Sequence, residues 1–121
     1  SQHCQIGPGT VICAGVIVNA LARVGSNVIL NTGCSVDHHC IVEDHAHLAP
    51  GVRLGGSVHV GRGVLVGIGA TVMPGRTLGD WSRVAAGAVV HRDVASGETV
   101  AGVPARRLSS AEARANVGGK K

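Results

Sequence analysis

The chain has 121 residues, 45% of them hydrophobic, a formal charge of +4, and neither Phe nor Tyr. That is one domain's length, but an ordinary globule of this size fills its centre with large aromatics, and Trp81 is the only one present. No run of Lys or Arg interrupts the patterned region and no aromatic platform is offered to bases, which argues against nucleic acid as a partner. A mild basic excess suits an acidic small molecule or simple solubility equally well.

The chain lacks an initiator Met, and Cys4 is already in phase with the pattern that follows, so it reads as entering part-way through a repeat. From Ile6, every sixth residue through Val90 is Ile, Leu or Val, giving fifteen hexads without a slip up to Ala95. Such a period takes precedence over every other signal. Four residues after each aliphatic lies a second set, small or apolar throughout except for Arg76. Residue i+4 of one hexad and residue i of the next are two apart, so on a strand they share one face. That face is the core, and its neighbours i+5 and i+1 point outward.

The remaining pair, i+2 and i+3, reads as a corner. Gly occupies i+3 at 9, 15, 33, 51, 63, 69, 75 and 87, and Asn27 and Asp93 are two further residues that tolerate positive φ. Pro8-Gly9, Pro50-Gly51 and Pro74-Gly75 suit type II turns. Each hexad is thus a short strand plus a tight turn that buries its apolar pair only against its neighbours, as in a solenoid. The pattern by itself gives a parallel β-solenoid. Arg76 falls on the inward set, so either the register bends at Pro74-Gly75 or its side chain reaches out.

Cys4, Cys13, Cys34 and Cys40 have no metal or redox spacing. Cys34 and Cys40 fall inward and read as small core residues. Reduced buried thiols, with neither a signal peptide nor a membrane-spanning run, point to the cytoplasm. After Ala95 the phase breaks: residues 101–107 read as extended, Ser110 as the cap of a short helix, and Gly118-Gly119-Lys120-Lys121 as a frayed end. The domain is therefore placed at 1–108, with 109–121 a short helical or disordered tail.

Four of the seven His lie between positions 38 and 47. Around them, Asn31-Thr32-Gly33, Val36-Asp37-His38-His39-Cys40 and His47-Leu48-Ala49-Pro50-Gly51 occur in order. Gly55-Gly56-Ser57-Val58-His59-Val60-Gly61 and Gly102-Val103-Pro104-Ala105-Arg106 then follow. Together these resemble the hexapeptide-repeat sugar O- and N-acyltransferases, in the branch of sialic acid O-acetyltransferases and bacillosamine-type UDP-4-amino-sugar N-acetyltransferases. The resemblance covers nearly all of 1–108 and matches the C-terminal β-helix domain of those enzymes.

The resemblance implies a left-handed parallel β-helix, three hexads per coil, five triangular coils, and residues 18 apart stacked at about 4.8 Å. It implies a homotrimer with sites between subunits, acetyl-CoA as co-substrate, no metal, and a sugar or nucleotide-sugar acceptor. His38 matches the general base, a role imidazole suits near neutral pH. Gly56, one coil on, matches the amide donor to the thioester oxygen. Where the family carries an acidic residue to orient the base, this chain has His39, and Asp37 is the other candidate. His47 matches a donor-contacting residue. Gly67, Ile68 and Ala86 would line the pantetheine groove together with Pro50, Pro104 and Ala105 the adenine end, and Arg106 or Arg107 the phosphates. Asn31 is an acceptor-side candidate.

Two other readings stay open. One is a non-catalytic trimeric scaffold, to which the change at His39 lends weight. The other is a zinc-dependent carbonic anhydrase-like β-helix, whose closely spaced His pair, five apart, has no counterpart here.

Overall fold

The computed structural model describes residues 3–119, with side chains through Arg114. The hexads form two-residue strands. β1 (Gln5–Ile6), β4 (Arg23–Val24), β7 (Ile41–Val42), β10 (His59–Val60) and β13 (Thr77–Leu78) stack into one parallel sheet. β2 (Val11–Ile12), β5 (Ile29–Leu30), β8 (His47–Leu48), β11 (Leu65–Val66) and β14 (Arg83–Val84) make a second. β3 (Ile17–Val18), β6 (Ser35–Val36), β9 (Arg53–Leu54), β12 (Thr71–Val72) and β15 (Val89–Val90) make the third. The three sheets are the faces of a left-handed β-helical prism. Partners along each face lie 18 residues apart, as in Arg23 against Ile41 and Leu30 against Leu48.

The core is the inward set. Leu30, Leu48 and Leu78 are its largest fully buried side chains, and Cys34 and Cys40 are fully buried beside them. Burial pushes the Cys34 thiol up to about 11 and raises that of Cys40, which donates to the Gly55 carbonyl at 3.1 Å. Ile6 and Ile12 also point inward, yet in the first described coil they stay 41% and 45% exposed.

All eight i+3 glycines take positive φ, and so do Asn27, His39 and His45. Leu21, Ser57 and Trp81 adopt it at the same hexad position, where the sequence carries no turn signal. The stacked coils hold these side chains in a conformation they rarely choose. Asp93 departs from expectation and is not among the positive-φ residues. The 18-residue spacing holds through Val90 and then shortens to 16, with Val94 bridging Leu78 and Thr99 pairing Arg83. The corner before Val94 is two residues shorter, and the Asp93 carboxylate there accepts the Thr77 N–H at 2.8 Å.

Arg76 does not bend the register, since Thr77 still faces His59. Its side chain reaches out, with Nε donating to the Pro74 carbonyl at 3.4 Å. Residues 101–107 are not one extended run: β16 (Thr99–Ala101) adds to the second sheet and β17 (Arg106–Arg107) folds back antiparallel on it. The helix α1 (Ser110–Gly119) follows. Its cap is Ser109 rather than Ser110. Ser109 Oγ accepts the Glu112 N–H at 3.1 Å and Glu112 returns a carboxylate to the Ser109 N–H at 3.0 Å. Lys120 and Lys121, expected to fray, lie outside the described residues.

Candidate functional site

His38 stands at the corner joining the third sheet to the first, exposed on that prism edge. Asp37 and His39, the two candidates for orienting it, are separated by the geometry. The Asp37 carboxylate accepts the His38 backbone N–H at 2.7 Å and the Asn19 side-chain amide at 3.0 Å, one coil below. The His38 N–H, and then the Asn19 amide, hold that carboxyl below its usual range. Asp37 therefore fastens the corner and has no hydrogen bond to the ring. His38 Nδ1 instead lies 3.2 Å from His39 Nδ1, with the rings edge to face at 83° and 5.4 Å between centroids. Backbone φ of 59° at His39 aims its ring back at its neighbour. One nitrogen of this pair must donate and the other accept. With Nδ1 so engaged, the free nitrogen of His38 is Nε2.

That free edge lies over Gly56. A Cβ at position 56 would meet His38 Cε1 at 2.5 Å and Nε2 at 2.6 Å, so only glycine leaves the ring its seat. At four corners the N–H at the same hexad position is taken by a side chain, whereas at Ala14, Ala20, Ile68 and Ala86 it meets no acceptor among the described residues. Asp44 accepts that of Ser26, Asn31 that of Thr32, Asp37 that of His38 and Asp80 that of Arg62. Gly56 follows Gly55 and lies under Pro74, so no such side chain is at hand. Its N–H donates to no acceptor among the described residues, although Gly56 is buried. An open donor beside an imidazole suits a developing oxyanion.

The donor candidates lie elsewhere on the prism. Pro50, Ile68 and Ala86 stack on the edge between the second and third sheets, tied by Gly69 N–H to Pro50 O at 3.0 Å and Gly87 N–H to Ile68 O at 2.8 Å. Ile68 is 62% exposed there. Gly67 has a packing reason of its own, because a Cβ would come within 2.5 Å of the Ala86 nitrogen. His47 lies on the second sheet between Ile29 and Leu65, and its Nε2 is buried with no partner among the described residues. A buried orphan nitrogen calls for a group that completes it. Pro104, Ala105 and Arg106 line one cavity of about 460 Å³, together with Arg107, His91 and Arg92. Neither His91 nor Arg92 carried a signal in sequence. Asn31 sits on the Pro50 edge, its oxygen capping Thr32 at 2.8 Å. Within one chain, then, His38, His39 and Gly56 come together, and the donor residues do not join them.

A family model described as bacterial transferase hexapeptide (six repeats) matches residues 57–92. The chain belongs to the hexapeptide-repeat family. Within it, the chain is similar to GDP-perosamine N-acetyltransferase from Caulobacter crescentus, solved with CoA and GDP-perosamine. The two share 39% identity and a TM-score of 0.90, over 91% of this chain and 52% of that one. It is similar also to the acetyltransferase domain of PglB from Neisseria gonorrhoeae, solved with acetyl coenzyme A, at 37% identity and TM-score 0.88, over 89% and 53%. WeeI from Acinetobacter baumannii follows at 28% and 0.77, over 89% and 56%. This hexapeptide-repeat chain thus spans about half the length of the solved relatives it matches. No curated protein matches it.

Among the described residues, no three His, Cys, Asp or Glu side chains of this hexapeptide-repeat prism converge on a point where a metal ion would sit. No described helix is long and apolar enough to cross a membrane.

Proposed function

We propose that the protein transfers an acetyl group from acetyl-CoA to an amine or hydroxyl of a nucleotide-linked sugar, by direct attack. The observation that carries this reading is the seat of His38 over Gly56: a free imidazole nitrogen and an open backbone N–H on one prism edge. The likeness to acetyltransferases solved with CoA supports it. His38 Nδ1–H donates to His39 Nδ1, which fixes the ring, and Nε2 takes a proton from the acceptor as its nitrogen or oxygen attacks the thioester carbon. The thioester oxygen gathers charge against the Gly56 N–H. The C–S bond then breaks and the proton on Nε2 passes to the departing sulfur. No covalent enzyme intermediate is required.

The donor would lie against His47, whose orphan Nε2 gains a partner, with its adenine and phosphates toward Pro104, Ala105 and Arg106. Gly67, Ile68 and Ala86 would border its pantetheine arm. Because His38 and the Ile68 column stand on different edges, a complete site takes the second edge from a neighbouring copy. Val11 and Ile29, with Leu65 on the far side of His47, are exposed aliphatic residues on the second sheet, 54%, 37% and 39% accessible, for such a contact. A homotrimer in the cytoplasm is the assembly this reading expects.

Calorimetry with acetyl-CoA tests the proposal without an acceptor in hand. Wild type and His38→Ala should both bind, and only wild type should turn over an amino-sugar nucleotide. Undiminished turnover in His38→Ala would remove the base, and an absence of acetyl-CoA binding in wild type would remove the whole reading.

A further inference from the structure

Arg76 holds the inward hexad position that is neither small nor apolar, and the corner above it is two residues short. Each accounts for the other. Thr77 gives its N–H to the Asp93 carboxylate and Leu78 bridges Val94, so residues 16 apart face one another here. Counted back from that pairing, Arg92 stands one coil above Arg76, a step of about 4.8 Å. A corner of regular length would cover Arg76 with another inward residue. The short one leaves its side chain a way out, while its carbonyl stays in the ladder and accepts the His59 N–H at 3.0 Å.

Both guanidiniums have open donors. Arg76 Nε reaches the Pro74 carbonyl at 3.4 Å, which leaves its two Nη groups free among the described residues. The Arg92 guanidinium makes no hydrogen bond or ion pair among them. The nearby carboxylates are engaged: Asp93 accepts the Thr77 N–H at 2.8 Å, and Glu98 accepts the Ala95 N–H at 2.9 Å and pairs with Arg107 at 3.2 Å. Two like charges one coil apart repel unless an anion lies between them. A diphosphate suits the pair, since each guanidinium can hold one phosphoryl group through two parallel hydrogen bonds.

Position on the prism narrows the ligand. His38, Gly56, Pro74 and Arg92 are successive members of one corner column, 18 residues apart, and Arg76 follows Pro74 on the same edge. Pro74 is exposed and seated over Gly55, and Met73 beside it is exposed as well. From the catalytic corner upward, the edge therefore presents a base with an open N–H, then an apolar step, then two cations. Acetyl-CoA carries its groups in that order: a thioester, a pantetheine arm with a gem-dimethyl carbon, and a diphosphate. Arg92 also lines the cavity of Pro104, Ala105 and Arg106. A diphosphate held at the pair leaves the adenine and the ribose phosphate to that cavity.

We infer that Arg76 and Arg92 form a clamp for the diphosphate of acetyl-CoA, supplied by the subunit that supplies the base. The inference rests on the acyl-transfer reading for the identity of the ligand, and on the two open guanidiniums for the anion site itself. The clamp touches no reacting atom. It holds the donor equally before and during the attack, so its loss weakens donor binding and spares the chemical step.

The test is calorimetry on the full chain with acetyl-CoA, its 3′-dephospho form, acetyl-pantetheine and inorganic pyrophosphate. Arg76→Gln keeps a polar side chain outside, and Arg76→Val returns an apolar residue to the inward set. Both should keep the wild-type melting temperature. Both should weaken the two CoA forms and pyrophosphate at least tenfold and bind acetyl-pantetheine as wild type does. Arg62→Gln, on the edge between the first and second sheets, should bind all four as wild type does. Unchanged acetyl-CoA affinity in the Arg76 variants would overturn the clamp and leave the acyl-transfer reading intact. Equal loss of acetyl-pantetheine, or a matching fall in melting temperature, would make Arg76 structural and overturn it too. So would equal weakening by Arg62→Gln, which marks diffuse charge attraction, or a loss confined to the donor that carries the 3′-phosphate. A wild type that holds pyrophosphate through Arg76 but not acetyl-CoA would instead sink the acyl-transfer reading and leave the anion site standing.

Discussion

Gly56→Ala separates a catalytic glycine from a structural one. A Cβ at Gly56 would lie 2.5 Å from His38 Cε1, and ordinary contact begins near 3.4 Å, so the ring must move by roughly 1 Å. The obstacle is a flexible, exposed side chain, and Gly56 is not held at positive φ, so the backbone accepts alanine. Stability should change little, because the gain of up to about 1 kcal/mol from a less flexible unfolded chain offsets the displaced ring. A shift of that size breaks the 3.2 Å contact between His38 and His39. It should lower kcat about 100-fold, or about 2.7 kcal/mol in the barrier.

Gly67→Ala is the contrast. Its Cβ meets the Ala86 backbone, which cannot step aside, so it should cost about 1–3 kcal/mol of stability. Thermal unfolding and chromatographic assay of released CoA, with an amino-sugar nucleotide as acceptor, read both effects. Full turnover in Gly56→Ala would refute the seating of His38. A melting loss in Gly56→Ala equal to that of Gly67→Ala would refute the distinction between the two glycines.

Four further outcomes are expected. His39→Asn keeps the left-handed backbone that Asn tolerates and should retain its melting temperature while losing about tenfold in kcat, whereas His39→Val should lose about 1–3 kcal/mol of stability, as denaturant titration would reveal. In native protein a thiol reagent should label the half-exposed Cys4 and Cys13 and spare Cys34 and Cys40, all four reacting in denaturant. The raised Cys34 value favours the folded state below pH 9 and loses that advantage toward 11, since the unfolded chain releases the proton first; melting scans should show stability falling as pH rises through that window. The lowered Asp37 value has the opposite sign, contributing above the ordinary carboxylate range and fading as pH falls through the lower folded value, and Asp37→Asn should flatten that acid limb.

The hexad period alone determined the solenoid, because a strict six-residue alternation of aliphatic and turn positions has no other way to bury its apolar pairs. It also predicted the inward thiols and the glycine corners. The motif order then pointed to His38, Gly56 and His47 before any coil was wound. What the sequence did not decide depends on which residues stack. That Leu21, Ser57 and Trp81 accept a left-handed backbone follows from corner stacking, not from their propensities. That Asp37 fastens the backbone while His39 meets the ring follows from side-chain direction, which adjacency in sequence does not reveal. The two-residue shortening before Val94 breaks no aliphatic pattern, since Val94 is buried in either register; only strand pairing distinguishes them. The approach of Arg92 to Arg76 likewise follows from that shortened register and not from their spacing in sequence. The repeat fixes how each residue faces, and winding the prism decides which distant residues it meets.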